Sequence, residues 1–308
     1  MHILIKLRIY FLILILAGTF VNTLAAPIAP RPLRILLEES ENVVIGYVYR
    51  IEKLPDNFQY YDRKAILLVK DVLQGNIKKD TIQIYFSGKF ICPLPAQYIE
   101  STNVLVFPKK RENMDGYTTH ALSYGAKTIS DKGVELYKAR IREMQEIRNI
   151  TDEKEKQERI MDWLITCIGQ PETRWEGVYE LYPHGDFMTS YCGEEVLPNK
   201  RYELNNEQKS KLRKYILAQN PVEFNDIELV ELIQNDNDKE LKEFLIKCIK
   251  ASAEYNFWYA GYMMEKIALF TNRQDLKLIS DKMKKLNPVS EGYSDEVKKI
   301  VQEYIIEM

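Results

Sequence analysis

The stretch from Tyr182 to Pro198 holds a more varied set of reactive side chains than the rest of the chain. It contains one of the three histidines, three acids and a cysteine: His184, Asp186, Cys192, Glu194 and Glu195. A cysteine activated by a histidine is a nucleophile, and a histidine beside carboxylates is a set of metal ligands. This composition admits a hydrolase or a metalloprotein, with His184, Asp186 and Cys192 as the catalytic candidates.

The spacing within this stretch matches no recognised catalytic or metal-binding motif. Nucleophilic catalysis needs a base within hydrogen-bond reach of the nucleophile and a third group that orients the base. Long segments between folded elements more often only connect them. We therefore interpret residues 182–198 as a connecting loop and predict no cofactor and no metal. The hydrolase or metalloprotein is kept as the alternative.

The four cysteines fall into two pairs. Cys167 and Cys248 lie on apolar helix faces and are expected to be buried core thiols, because free cysteine packs as a small hydrophobe. Cys92 and Cys192 lie in predicted loops and form a possible disulfide, with Cys167–Cys192 as the local alternative. A disulfide needs Cα atoms within about 7 Å, so the sequence leaves the pairing open.

The N-terminal 26 residues have the pattern of an export signal. Lys6 and Arg8 precede the apolar run Ile9–Ala17, and small residues follow up to Ala26. This order is typical of a secretory signal peptide. We predict a signal peptide over residues 1–25 and an exported protein, either periplasmic or secreted. An uncleaved signal would be a membrane anchor, but its apolar run is shorter than the about 20 residues of a spanning helix.

Composition limits the class of partner. The 43 basic and 45 acidic residues give a net charge of −2 at pH 7. Nucleic-acid-binding proteins usually carry a basic excess, so we expect no nucleic acid and instead another envelope or secreted protein. Hydrophobic residues make up 45% of the 308 residues and charged residues 29%, which is typical of globular proteins long enough for two domains.

Residues 26–150 are predicted to form strands. Five segments are rich in β-branched and aromatic residues: 42–53, 64–73, 81–86, 103–107 and 117–123. Gln74-Gly75-Asn76, after the second strand, has the composition of a turn. Five strands with short connections favour a small, closed or nearly closed antiparallel barrel. The amphipathic segment Leu33–Glu39 is expected to lie against one end of the barrel.

The order of these segments resembles a known family. Asn42–Val48 is a strand with an internal glycine, Val69–Gly75 ends in a hydrophobic-x-x-Gly turn, and Cys92 and Asn103–Phe107 follow. This order is similar to the netrin-like, or tissue-inhibitor-of-metalloproteinase-like, variant of the OB-fold. The resemblance implies an OB-like barrel in the N-terminal half.

The resemblance does not extend to the family's inhibitory chemistry. Its protease inhibitors insert a free N-terminal cysteine into the metal site of the target, and no cysteine lies near residue 26. The last predicted strand region, Ala121–Gly125, also lacks the further cysteine that members usually carry. Protease inhibition therefore stays an alternative that depends on analogy with the family.

Residues 151–308 are predicted to be helical. An apolar face repeats at helical spacing at 160–168, within a predicted helix 152–168, and again at 241–249. Further helices are expected at 207–218, 227–234, 257–269, 275–286 and 295–306, and a helix at 134–147 is expected to flank the barrel. The expected N-terminal caps are Asn205, which forms a capping box with Gln208, and Asn225, Asn237 and Ser294. Short paired helices in series favour a small solenoid that resembles HEAT repeats.

Two further features are given a structural interpretation. His120 lies in the predicted strand 117–123, where we expect a satisfied ring nitrogen. The aromatic residues Tyr255, Phe257, Trp258 and Tyr259 precede Gly261, and their helical spacing favours the core of a hairpin. The alternative is the wall of a groove for a peptide or glycan, since aromatic residues dominate interface anchors.

The sequence thus predicts an α+β protein in three parts. They are a signal peptide (1–25), a five-stranded OB-like barrel with flanking helices (26–150) and an all-α domain of HEAT-like hairpins (151–308). The expected function is a non-enzymatic binding or scaffold protein of the cell envelope, because both folds commonly present binding surfaces.

Overall fold

The structure is a computed structural model that describes most of the chain beyond residue 29. The described residues are 30–55, 60–89, 94–112, 114–182, 203–219, 222, 224–234, 238–255 and 257–308. They form an α+β protein in which a curled N-terminal sheet of seven strands is followed by helices. The predicted class is confirmed, and the predicted number of five strands is wrong.

The sheet places strands that are distant in sequence side by side. Its members are β1 (Val43–Lys53), β2 (Arg63–Gln74), β3 (Thr81–Phe86), β4 (Asn103–Val106), β5 (Pro108–Lys110), β6 (Tyr117–Thr119) and β7 (Ala126–Ile129). Their order is β5-β6-β3-β2-β1-β4-β7. The β3–β6 pair is parallel and the other pairs are antiparallel. In the sheet order, β4 lies near one edge and β5 forms the opposite edge, yet Phe107 alone separates the two strands along the chain. The two edges must therefore approach each other, which curls the sheet.

The two additional strands have weak sequence signals. The three residues of β5 are Pro-Lys-Lys, and β7 follows a short 3₁₀ turn over Leu122–Gly125. The predicted strand 117–123 ends at Thr119, so His120 lies in the following turn. Its Nε2 is 3.0 Å from Oε2 of Glu39, which confirms the satisfied ring nitrogen.

The curled sheet encloses a small core of its own. Its buried side chains include Val44, Val48, Leu67, Ile82, Ile84, Val104 and Val106. Alternate residues of each strand point inward, and their neighbours point outward. Gly75 makes the turn after β2 with φ +89°, a backbone conformation that glycine adopts without a steric cost.

Ten helices are present in the described part of the chain. They are α1 (Leu33–Glu39), α2 (Asp131–Arg148), α3 (Glu153–Ile168), α4 (Arg174–Leu181), α5 (Asn206–Leu217), α6 (Phe224–Ile233), α7 (Lys239–Tyr255), α8 (Phe257–Phe270), α9 (Gln274–Met283) and α10 (Tyr293–Glu307). The sequence predicted all of them except α4. Helices α7 to α10 pack in succession, each against the next.

The predicted helix caps have mixed outcomes. The capping box of Asn205 and Gln208 is confirmed. Ser294 and Asn225 lie inside their helices and are not caps, because α10 begins at Tyr293 after Gly292 and α6 begins at Phe224. The carboxylate of Asp238 accepts the backbone N–H of Leu241 at 3.1 Å and so caps α7. Asn237 is outside the described residues.

A second core joins the sheet to the helices. Ile45 and Leu105 of the sheet, the leucines of α1 and the inner face of α2 belong to the same buried cluster as the helices up to Tyr304. The boundary at residue 150 therefore lies within a shared core. Cys167 and Cys248 are free and buried in it, which confirms that they are core thiols. Burial raises the pKa of Cys248 to about 12.

Candidate functional site

Most of the residues with predicted chemistry lie outside the described part of the chain. These are the predicted signal peptide 1–25, Cys92 and five residues of the predicted loop 182–198, namely His184, Asp186, Cys192, Glu194 and Glu195. The side chains of the aromatic cluster 255–259 are also outside it. Within the described ranges, no helix has the length and apolarity to cross a membrane. The same ranges contain no group of three histidine, cysteine or acidic residues placed to hold a metal ion.

A charged cluster lies buried where the sheet meets the helices. We call Arg34, Lys127, Tyr137, Glu176 and Glu180 the junction cluster. It begins at α1, which starts after Pro32 and therefore has no side-chain cap of its own. The backbone N–H of Leu33 instead donates to Oε2 of Glu176 at 2.7 Å. A carboxylate from α4 thus satisfies one of the free amides that every helix start exposes.

The remaining contacts of the junction cluster tie four elements together. Oε1 of Glu176 accepts the hydroxyl of Tyr137 at 3.0 Å and lies 3.0 Å from Nζ of Lys127. Arg34 donates to Oε2 of Glu180 at 2.7 Å. Among the described residues Oε1 of Glu180 has no hydrogen-bond partner, and burial raises the pKa of this carboxyl against the opposing effect of Arg34. The cluster therefore links the sheet, α1, α2 and α4.

Local packing explains how α4 can supply these acids. Gly177 faces the carbonyl of Leu164 in α3, where any side chain would collide, so glycine allows the close approach of the two helices. Trp175 stacks between Tyr124 and Tyr179, with ring centroids 5.8 and 5.3 Å away. Lys127 lies 4.8 Å from the Trp175 ring centroid and is thereby held beside Glu176.

A second, partly buried cluster surrounds the buried Glu228 and includes Tyr182, the first residue of the predicted loop 182–198. It consists of Tyr182, Glu228, Glu231, Tyr262 and Lys266, and we call it the Lys266 cluster. Nζ of Lys266 is 3.3 Å from Glu228 and lies near the rings of both tyrosines. The hydroxyls donate to the acids, Tyr262 to Glu228 and Tyr182 to Glu231. Burial and the neighbouring carboxylates raise the pKa of both tyrosines, so they remain protonated donors.

The central acid of each cluster has its charge paired. Glu176 and Glu228 each pair with a lysine and accept a tyrosine hydroxyl. Buried charges are tolerated when they are paired and hydrogen-bonded in this way. The arrangement therefore holds elements together, and we assign both clusters a structural role.

The outward side of β1 and β2 has a different character. Val48 and Leu67 point into the sheet's own core, so the residues that alternate with them along β1 and β2 point outward. The register pairs Tyr47 with Leu68 and Arg50 with Ile66, and an irregularity between Val48 and Arg50 leaves Tyr49 as an extra residue. We call Tyr47, Tyr49, Arg50 and Leu68 the outer sheet face; Ile66, on the same side of β2, is buried.

The outer sheet face exposes large apolar groups next to cations. Tyr49 is 56% exposed and Leu68 is 40% exposed. Lys70 lies 5.4 Å from the ring centroid of Tyr47, and the Arg50 guanidinium lies 5.8 Å from that of Tyr49. The alternation of Tyr47 with the buried Val48 along β1 is the signal in the sequence that could have located this face. The alternation does not tell whether another element covers the face.

Comparison of the chain with protein-family models, with curated proteins and with solved structures finds no match.

Proposed function

We propose that this chain is an exported, non-enzymatic binding protein of the cell envelope that docks another protein on its outer sheet face. The observation that carries the proposal is the exposure of Tyr49 and Leu68 beside Arg50. Tyrosine and arginine are enriched at the centres of protein interfaces and supply much of the binding free energy there.

The buried clusters support a scaffold role. The junction cluster fixes α1 and α4 against the sheet, and the shared core continues from there through the helices. A surface on such a framework loses little conformational freedom on binding, which favours affinity.

The strand connections support an OB-like barrel. β1, β2 and β3 form a meander, β6 lies parallel to β3, and the β4–β5 segment pairs with β1 at one end and with β6 at the other. This arrangement agrees with the proposed netrin-like resemblance, and the successive helices α7 to α10 agree with HEAT-like hairpins.

Co-purification followed by reconstitution tests the binding function. The tagged full chain is recovered from its own cell envelope, and each protein that stays bound is purified and titrated back. We expect one partner with a defined stoichiometry. A partnerless monomer would overturn the proposal, and so would an enzymatic turnover that is lost in His184→Ala.

The mass of the exported chain tests the proposed processing. We expect a mature protein that begins at Ala26, since cleavage after Ala25 fits the small-residue exit of the signal. A full-length chain that remains in the membrane would instead show that the segment is retained as an anchor.

A further inference from the structure

We infer that the outer sheet face binds an acidic, extended segment of the partner protein, an inference that rests on the proposed function. The face and its border carry three cations, Arg50, Lys64 and Lys70. Arg50 and Lys64 share a single acid, Glu52, at 2.6 and 3.0 Å. Glu100, which accepts the backbone N–H of Ile51, is a second acid at this border, so cations exceed acids by one in a chain whose net charge is −2.

Lys70 is held in place by a neutral group. Its Nζ donates to the amide oxygen of Asn103 at 2.6 Å, and Asn103 in turn donates to Asp131. The neighbouring Asp71 is paired with Lys138 of α2. The ammonium of Lys70 is thus positioned beside the ring of Tyr47 and keeps its charge available to a carboxylate.

The register of the three strands sets the shape of the surface. Leu68 lies between Tyr47 of β1 and Thr81 of β3, and Ile66 lies between Arg50 and Gln83. The exposed side chain of Leu68 therefore lies beside Tyr47 on this side of the curled sheet, and Arg50 follows along β1, while Ile66 is buried. An extended segment directs every second side chain to the same side, about 6.6 Å apart. A segment whose same-side positions hold an apolar residue and an acid in turn can therefore contact Leu68 while its carboxylates reach Arg50 and Lys70.

The size and charge of the face distinguish among anionic partners. A nucleic acid or an anionic membrane is usually held by a larger array of basic residues than three. A short acidic peptide segment matches three cations and a few apolar side chains. Such a small contact gives weak, salt-sensitive binding.

A defined peptide probe tests the inference directly. The probe is a fluorescein-labelled peptide of repeated Glu-Ser-Tyr-Ser units, which places glutamate and tyrosine in turn on one side of an extended chain. Its counterpart has lysine in place of glutamate. Anisotropy is measured with the purified full chain, with Tyr49→Ala, with Arg50→Glu and with the matched control Lys239→Glu. Lys239 lies on α7 and its side chain is 89% exposed, so the control makes the same charge change away from the face.

We expect the glutamate peptide to bind and the lysine peptide not to bind. Arg50→Glu should weaken binding by about tenfold, and Lys239→Glu should change it by less than about twofold. Added salt should weaken binding to the wild type. Equal binding of both peptides, no binding, or equal affinities of Arg50→Glu and Lys239→Glu would overturn the inference. Tighter binding of oligothymidylate or of phosphatidylglycerol vesicles would also overturn it.

The same variants separate this inference from the proposed function. If the wild type recovers a partner and Arg50→Glu recovers it equally well, the acidic-segment inference is wrong and the binding function stands. If the wild type recovers no partner, the proposed function itself is overturned. Circular dichroism of each variant verifies that the fold is retained.

Discussion

The junction cluster and the outer sheet face are built from the same residue types and have opposite surroundings. In the junction cluster, Lys127 lies against Trp175 and reaches the buried carboxylate of Glu176. On the outer sheet face, Lys70 lies against Tyr47 and its ammonium is bonded to a neutral amide. A cation beside an aromatic ring is therefore a structural device in one place and a candidate binding group in the other.

The difference between the two regions is the cost of removing a partner. In a buried pair, loss of the carboxylate leaves a cation with neither a partner nor water, which is strongly destabilising. On an exposed face, water replaces the lost partner, and ion pairs there contribute about 0–1 kcal/mol. Stability measurements should therefore respond to the junction cluster, and binding measurements to the outer sheet face.

The largest effect is expected for Glu176→Ala. The substitution removes the acceptor of the Leu33 amide, of the Tyr137 hydroxyl and of Lys127 at once. We expect a loss of about 3–5 kcal/mol in the free energy of unfolding, measured by urea denaturation. Glu135→Ala, at an exposed position of α2, is the control and should change it by less than about 0.5 kcal/mol. Similar values for the two variants would show that the junction cluster does not hold the sheet to the helices.

A smaller effect is expected for Tyr262→Phe in the Lys266 cluster. This substitution keeps the ring beside Lys266 and removes the hydroxyl that donates to the fully buried Glu228. A buried acceptor that loses its donor costs about 1–3 kcal/mol. Thermal and urea unfolding measure the loss, and Tyr60→Phe, at an exposed ring, is the matched control. If both substitutions change the free energy of unfolding equally, the Tyr262 hydroxyl has no structural role.

The pH dependence of stability sharpens the comparison further. Burial raises the pKa of Glu180 in the folded state, where it faces Arg34, Glu38 and Glu176. The folded protein therefore binds a proton at this carboxyl more tightly than the unfolded chain does, for which the pKa is about 4.3. As the pH falls through the folded pKa, the wild type should gain stability, and the gain should level off below the unfolded pKa.

Glu180→Gln isolates this contribution. It removes the titrating group and keeps a polar side chain of the same size beside Arg34. The difference in unfolding free energy between wild type and variant should shift in favour of the wild type on acidification from neutral pH. A difference that is constant with pH, or that shifts the other way, would contradict a raised pKa for Glu180.

The same comparison shows what the sequence could and could not predict. The first three strands are found within about one residue of their observed bounds, because β-branched alternation and the Gly75 turn are local signals. β5 was missed because Pro-Lys-Lys has no alternation, and it is a strand only through its pairing with β6. Non-local pairing of this kind leaves no pattern in a short segment.

Helix α4 was missed for a related reason. Its sequence RWEGVYEL places Arg174, Glu176 and Glu180 at positions that are buried in the structure, and Gly177 interrupts the apolar pattern. Apolar periodicity reports a helix only when the buried face is apolar. The junction cluster therefore could not be located from the sequence, because its partners lie more than 140 residues away along the chain at Leu33 and Arg34.

The smallest effect on stability is expected for Tyr49→Ala on the outer sheet face. Tyr49 is an extra residue in β1 and its ring is mostly exposed, so its removal opens no cavity and leaves no buried group unpaired. We expect a change in unfolding free energy within about 0.5 kcal/mol, measured by urea denaturation. The same variant should lose most of its affinity for the glutamate–tyrosine peptide, because a truncated aromatic anchor removes contact area at the centre of the face. A variant that lost stability and kept its affinity would reverse the assignment and place the outer sheet face among the structural elements of the fold.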